Sequence, residues 1–424
     1  MSILYLLKMN PLIMFLLIIS VLSFVDILTY IVLKNQYKSS RNFFNVLFNT
    51  LFSFPSVLIY CAFIWAFFIH VWTRKIFDII DIYYLSGIVV IIYVPKLIYL
   101  LFSFIEKLFR IIELLFLEKF FPKRNFKFSF KSRKNSSLGL VLACLTCFLL
   151  VYGSFIGRFH YQVIQHKLEF DDLPASFTNL KIVQISDIHI STYYRNEKHF
   201  EEIINLVNAQ HPDLIFFTGD LINNFAEEVK PFMPALIKMK AKYGKFAIFG
   251  NHDYGDYYIW KNENERIANH ILLEKYIDSS GFKLLLNENI VFSRSSDTII
   301  IAGTENWGRL PYRQAGDLEK TLKGTNDKNF ILLLSHDPYF WDKFVRGHPN
   351  IKATFSGHTH GMQIGISCGN FNWAPFHIRY NRWIGLYKEG NQFLYVNKGL
   401  GAGLYTGRVG MWPEISVFIL KRKE

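Results

Sequence analysis

The sequence has little cysteine: four residues in 424, Cys61, Cys144, Cys147 and Cys368, the first three inside apolar runs. Nothing in that number requires disulfides. Cys144 and Cys147 are spaced as CxxC, yet they lack the second pair or neighbouring histidine that would make a metal or redox motif. Acidic side chains are scarce at the front of the chain. Residues 1–158 carry 17 Lys/Arg against 6 Asp/Glu, a net of +11, whereas the remaining 266 carry 30 against 28, a net of +2. The second part therefore lacks the basic stripe expected for long nucleic acids. No internal repeat or low-complexity segment is present.

Apolar residues are what the chain has in excess: 51% of the sequence, with 42 Phe. Long apolar runs at Pro11–Leu33, Leu51–Trp72, Tyr83–Phe104 and Leu138–Phe155 each approach the ~20 residues that span a bilayer. A bundle of about four transmembrane helices is expected within 1–158, and the lipid bilayer is the first implied partner. The first run is too long for a signal peptide and has no small-residue cleavage pattern. Asp26 interrupts it, marking either a functional path or a group turned to the bundle interior. Between the third and fourth runs, "EKLFRIIELLFLEKFF" has helical apolar spacing, and "PKRNFKFSFKSRK" follows with six Lys/Arg. This predicts an interfacial helix and polybasic segment over 106–134. By the positive-inside rule that loop is cytoplasmic, with the loop carrying Lys34, Lys38 and Arg41. The expected location is a cell (cytoplasmic or inner) membrane, multi-pass, with everything after Phe155 extracytoplasmic.

From about Leu168 the texture changes to short β-type runs alternating with amphipathic helices, which predicts a layered α/β domain over 168–424. "LKIVQISDIH" reads as a strand; Phe200, Ile203, Ile204 and Val207 then share one helical face. Helices are expected around Glu227–Lys242 and Asn264–Ser279, and hairpin-like strands at "FKLLLNENIVF" and "TIIIAGTENW". Five strands exit into polar groups: Asp187 and His189, Asp220, Asn251 to Asp253, His336 and Asp337, and His358 and His360. Sites in open α/β sheets form at the carboxyl ends of strands, so these exits can converge. Two carboxylates, an amide oxygen and several imidazoles suit a divalent metal that accepts mixed N and O donors, such as Mn, Fe or Zn, better than calcium. Each exit alone also reads as a turn or helix cap.

Taken in order, "DIH", "GD", "GNH", "SHD" and "GHTH" resemble the calcineurin-like metallophosphoesterases over roughly Leu168 to Leu420. The openings "DLPASFTNLKIVQISDIHI", "GNHDY" and "GHTHGMQ" and the closing "YVNKGLG…WPEI" are similar to a bacterial membrane-anchored subgroup, with Met362 where relatives usually have glycine. The resemblance implies a four-layer sandwich of two mixed sheets flanked by helices and a site for two divalent metal ions. Asp187, His189 and His360 would hold one metal, and Asn251, His336 and His358 the other. Asp220 would bridge them, one carboxylate oxygen to each. His252 would face the substrate as proton donor, while hydroxide activated by the two metals attacks phosphorus.

Where many members carry a second Asp to orient that histidine, this chain has Asn223, whose amide would hold the ring without charge. No arginine follows the GD block, unlike the protein-phosphatase branch. Arg408 and Lys398 are candidate substrate contacts, and Arg379 and Arg382 stand among aromatics near the expected site. The function implied is a metallophosphoesterase cleaving a phosphoester or pyrophosphate bond, with an envelope lipid-linked substrate favoured by the anchoring. The rivals are a catalytically silent membrane sensor or transport protein, and a nucleotide phosphodiesterase or nuclease on the same scaffold.

Overall fold

A computed structural model describes residues 11–36, 42–73, 76–120 and 137–423, except 311, 370, 376 and 404. The chain divides into two compact units, one taking in residues 8–154 and the other running from 155 onward.

The first unit is helical: α1 (Pro11–Gln36), α2 (Asn42–Thr73), α3 (Ile76–Phe120) and α4 (Ser137–Phe155). Among the described residues three stretches are long and apolar enough to cross a membrane, Phe15–Lys34, Tyr84–Glu113 and Leu138–Phe159, while α2 holds a shorter apolar stretch, Phe52–Ala66. The expected interfacial helix is no separate element up to Phe120. It continues α3, because no Gly or Pro interrupts residues 101–120. The polybasic segment beyond it lies outside the described residues. Leu22, Val25, Ile59 and Tyr93 pack inside the unit, whereas Phe24, Phe54 and Phe104 are exposed. Asp26 is turned inward. Its carboxylate pairs with Lys96 at 2.6 Å and accepts from Tyr60 at 2.5 Å and Tyr93 at 2.9 Å; Lys96 also donates to Ser56 at 2.9 Å. A charge this deep in apolar surroundings persists only when paired and hydrogen-bonded, and here α1, α2 and α3 all contribute.

The second unit is built on two six-stranded sheets. Its elements are β1 (Gln162–Phe170), β2 (Lys181–Ile185), α5 (Glu197–Ala209), β3 (Leu214–Phe217), β4 (Gly244–Ala247), α6 (Glu263–Ser279), β5 (Lys283–Leu284), β6 (Glu288–Arg294), β7 (Asp297–Gly303), β8 (Ile331–Leu334), β9 (Ile351–Ser356), β10 (Ile366–Cys368), β11 (Phe371–Trp373), β12 (Gly385–Glu389), β13 (Gln392–Val396) and β14 (Glu414–Arg422). One sheet has the order β1-β14-β2-β3-β4-β5, the other β12-β13-β9-β8-β7-β6. Both are mixed: β2 to β5 run parallel, as do β7 to β9 and β13, while β14 opposes β2, β6 opposes β7 and β12 opposes β13.

β3 (LIFF) and β8 (ILLL) are apolar at every position and their neighbours largely so, so the two-residue alternation decides which core each side chain enters. Ile182, Leu214, Phe216, Ile299, Ile301, Leu332 and Leu334 fill the space between the sheets. Their neighbours Val183, Ile185, Ile215 and Phe217 face α5 and α6, meeting Phe200, Ile203, Val207, Leu273 and Ile277. Ile300, Ala302, Ile331 and Leu333 pack on Phe340 and Trp341 outside the second sheet. The result is a four-layer α/β sandwich. Two expectations differ in detail. The stretch expected as one helix from Glu227 is broken into short turns, with Pro231 and Pro234 inside it, since proline removes a helix donor and clashes with the preceding turn. "FKLLLNENIVF" is split: β5 ends the first sheet and β6 begins the second, so the chain changes sheets at Leu285–Asn287.

Candidate metal centre

The parallel strands β2, β3, β4, β8 and β9 end toward one region, and their exits gather there. Asp187, His189, Asp220 and His360 place donor atoms within 4.8 Å of one another, and Asp220, His336 and His358 form a second such group. Asp220 belongs to both. Its Oδ2 lies 3.2 Å from His336 Nε2 and 3.6 Å from His189 Nε2, while Oδ1 accepts the His252 backbone N–H at 2.8 Å. A single oxygen, Oδ2, faces the imidazoles of both groups, because the backbone N–H of His252 holds Oδ1.

Local backbone makes this convergence possible. Asp187, His189, Asp220, His358 and His360 all have φ between 41° and 70°, a left-handed region that costs a non-glycine residue about 1–3 kcal/mol. Glycines allow the close approach around them. A Cβ at Gly250 would lie 2.1 Å from Asp220 Oδ1, and one at Gly357 would lie 2.2 Å from Asp187 Oδ2. Asp253 braces the exits, accepting the backbone N–H groups of Asp220, Leu221 and Gly250, each at 2.8 Å.

Hydrogen bonds select the ring atoms presented to the centre. His189 Nδ1 donates to Asn223 Oδ1 at 2.6 Å, and His336 Nδ1 to the Thr218 carbonyl at 2.7 Å, so each turns Nε2 inward. Burial keeps His189 and His358 neutral, lowered to about 3, and lowers His360 as well, which leaves lone pairs available to a cation. For His336 burial opposes charge, but the Asp220 carboxylate outweighs it and pushes the imidazole up to about 10. Burial raises Asp187 to about 6. These residues fit divalent cations on a further observation. Asn251 is buried with Oδ1 unpartnered, while its Nδ2 donates to Tyr257 Oη at 2.7 Å. Its buried amide oxygen, left without a donor, is available as a neutral ligand to a cation.

His252 stands beside this group. Its Nδ1 donates to the Asn223 backbone carbonyl at 2.9 Å, and its ring stacks on Tyr257 at 4.3 Å. The Asn223 amide therefore does not orient His252, contrary to expectation. It is bonded to His189 and Ser191 instead, and Glu228 secures its backbone N–H at 2.9 Å. Lys398 and Arg408 lie inside the fold. Lys398 pairs with Glu414 at 3.1 Å, and Arg408 donates to the carbonyls of Gly401, Lys398 and His360. Arg382 pairs with Asp342 and Glu389.

Tyr257 and Tyr380 are not singled out by the sequence, and Asp337 appears there only as a polar group at a strand exit. Tyr257 links Asn251 to His252. Asp337, fully buried, sets Oδ2 at 3.5 Å from His358 Nε2, and Tyr380 places Oη 2.9 Å from the same nitrogen. Asp253 and Asp337 belong to the polar strand exits themselves, whereas no motif marks Tyr257 or Tyr380.

Such a two-sheet sandwich, with Asp/His clusters sharing a carboxylate at the strand ends, defines a metal-dependent hydrolase. Residues 180–362 match the family described as Calcineurin-like phosphoesterase, and residues 9–158 match Probable Calcineurin-like phosphoesterase, transmembrane domain. The chain is similar to the Uncharacterized metallophosphoesterase YkuE of Bacillus subtilis, 31% identical over 274 residues, or 64% of this chain and 89% of that protein. It is also 28% identical to the Transmembrane protein with metallophosphoesterase domain of Danio rerio, over 66% of this chain and 61% of that protein. The Bos taurus protein of the same name is 28% identical, over 69% of this chain and 64% of that one. The chain thus spans just under two thirds of these vertebrate relatives. It belongs to the calcineurin-like metallophosphoesterases, and is a membrane-bound member of that family.

Proposed function

We propose that the chain hydrolyses a phosphoester or pyrophosphate bond at a centre for two divalent cations, Mn, Fe or Zn, held by Asp187, His189 and His360 on one side and Asn251, His336 and His358 on the other, with Asp220 between. When bound, such cations supply Lewis acidity to the phosphoryl oxygens and a deprotonated water near neutral pH. The chain's own residues do the rest. Asp220, shared by both groups, would offset the repulsion of two cations with its carboxylate charge. The Nδ1–H bond of His252 to the Asn223 carbonyl keeps that proton on Nδ1, so Nε2 is the atom that takes up a further proton from solvent and, from the imidazolium, passes it to the leaving oxygen. Tyr257 holds both the ring of His252 and the amide of Asn251.

The observation that carries this reading is the orphaned Asn251 Oδ1 beside two imidazole–carboxylate groups sharing one Asp220 oxygen. Screening the purified protein with Mn²⁺ against soluble esters, lipid phosphates and nucleotide pyrophosphates tests it, with Asp220→Ala and His358→Ala as controls. Turnover in the wild type and none in either variant is expected; normal turnover in folded Asp220→Ala refutes the paired-cation assignment. Bound metal with no turnover on any phosphate ester would favour a silent sensor instead. We place the catalytic unit, 168–424 together with β1, on the extracytoplasmic side of a cell membrane, where anchoring favours a lipid-linked substrate. A reporter fused after Lys423 reads that side directly, and a cytoplasmic signal overturns it.

A further inference from the structure

Two loops meet beside His358. Residues 307–314 bring the Tyr312 ring edge-on to the His358 ring at 4.9 Å, and residues 377–383 bring Tyr380 Oη to 2.9 Å from its Nε2. Arg309 ties the loops together, donating from Nη1 to the Arg379 carbonyl at 3.1 Å while its guanidinium lies over the Tyr339 ring at 4.4 Å. Two residues before each tyrosine stands an aliphatic side chain turned outward: Leu310 is 78% exposed and Ile378 85%. No other large hydrophobic side chain among the described residues is as exposed as these two. In the neighbouring β10–β11 hairpin, Ile366 sits opposite Trp373, and both are exposed along with Phe371.

The rim is therefore apolar at its tips and cationic near the centre. Arg309 Nε is buried without a hydrogen-bond partner, and the Arg379 guanidinium makes no hydrogen bond or ion pair among the described residues. The charge of Arg379 is felt at His358, Asp337, Tyr312 and Tyr380. Cations beside exposed apolar tips suit a molecule with an anionic head and a hydrocarbon part.

We propose that this rim selects an amphiphilic phosphoester: the anionic head is drawn in by Arg309 and Arg379, and the hydrocarbon part lies over Leu310, Ile378 and the β10–β11 hairpin. The inference rests on the phosphoesterase reading above and adds the residues that choose the substrate class. A bilayer lipid and a free amphiphile share this chemistry.

The test uses the full chain loaded with Mn²⁺ at one fixed detergent concentration, so that partition into micelles is common to all variants. Hydrolysis of bis(p-nitrophenyl) phosphate is inhibited with methylphosphonate and with dodecylphosphonate, two compounds with the same head. Dodecylphosphonate is expected to bind at least about tenfold more tightly, as covering an exposed aliphatic side chain is worth roughly a decade in affinity. Leu310→Ser/Ile378→Ser should remove most of that ratio, and Arg309→Gln/Arg379→Gln should weaken both phosphonates together. Retained metal content in each variant reports an intact fold.

Equal inhibition by the two phosphonates, or an unchanged ratio in Leu310→Ser/Ile378→Ser, overturns the proposal and leaves the rim to a protein partner. If no ester turns over, the catalytic reading fails by itself, and calorimetric titration of the two phosphonates still reads the same ratio. Repeating the titration with the protein in nanodiscs, with dodecylphosphonate dissolved in the bilayer or added from solution, separates the two sources.

Discussion

Replacing Tyr257 by phenylalanine separates its two tasks. The hydroxyl accepts from Asn251 Nδ2 at 2.7 Å, and the ring stacks on His252 at 4.3 Å. Phenylalanine keeps the ring and deletes the acceptor. Asn251 is buried, so its Nδ2 would be left as an unpaired donor, at a cost of about 1–3 kcal/mol. Turning the amide over relieves that cost only by presenting N–H in place of the oxygen to a cation. Loss of a ligand's orienting partner typically lowers metal affinity ~10–100-fold, in line with about 1.4 kcal/mol per decade. Titration of metal-free protein with Mn²⁺ by calorimetry should therefore show one of two cations bound at least about tenfold more weakly in Tyr257→Phe. At saturating Mn²⁺ kcat should stay close to wild type, because the stack that steadies His252 survives. Tyr257→Leu should lower both affinity and kcat. Unchanged affinity in Tyr257→Phe, or a kcat loss that excess metal does not restore, refutes the reasoning.

His252→Ala should lose ~10²–10⁴-fold in kcat on esters with poor leaving groups and distinctly less on an activated aryl phosphate; an equal loss on both removes His252 from the leaving-group step. The proton between His336 and Asp220 sets a pH dependence. With the folded value pushed up to about 10 above an ordinary ~6.5, the pair stabilises the metal-free fold fully below the ordinary value and loses that contribution as pH rises toward 10. A cation must displace the same proton, so its affinity rises with pH over that window; calorimetry at pH 7 in buffers of different ionisation enthalpy should show proton release, and no buffer dependence would refute it. In the helical unit, Asp26→Asn or Lys96→Met leaves one partner of a buried pair uncompensated, a loss of about 3–5 kcal/mol. Thermal unfolding in detergent should show each single variant less stable than the double variant, and equal losses would mean the pair is not coupled.

How far the site was legible depended on the kind of residue. Asp187, His189, Asp220, His336, His358 and His360 stand at strand exits with ligand-type side chains, and parallel strands must end on one side of their sheet. That logic runs along the chain and can be read from it. Asn223 shows its limit. The residue type suggested an amide holding His252, yet the turn after Asp220 directs the amide to His189 and the carbonyl to His252. Nothing in residue type distinguishes a side-chain acceptor from a backbone one. Tyr257 and Tyr380 were illegible for a related reason: each acts across a gap between loops, and an aromatic in a loop reads equally well as packing. Met362 is a further case. Its φ is 60°, a conformation that glycine adopts without strain, and it is held there while packed against the cluster of Ala374, Trp383 and Met411.

By itself the sequence determined what depends on local order: apolar runs of bilayer length, strand and helix periodicity, and the succession of polar exits that marks a metallophosphoesterase. Periodicity and short motifs are properties of neighbouring residues, so they survive without coordinates. Only the tertiary structure decided which Asp220 oxygen faces both groups, which atom of Asn223 holds which ring, that Lys398 and Arg408 turn inward, and that Leu310 and Ile378 stand exposed beside the centre. Those outcomes depend on left-handed turns and on loops far apart in the chain, and the packing of the two sheets brings them together.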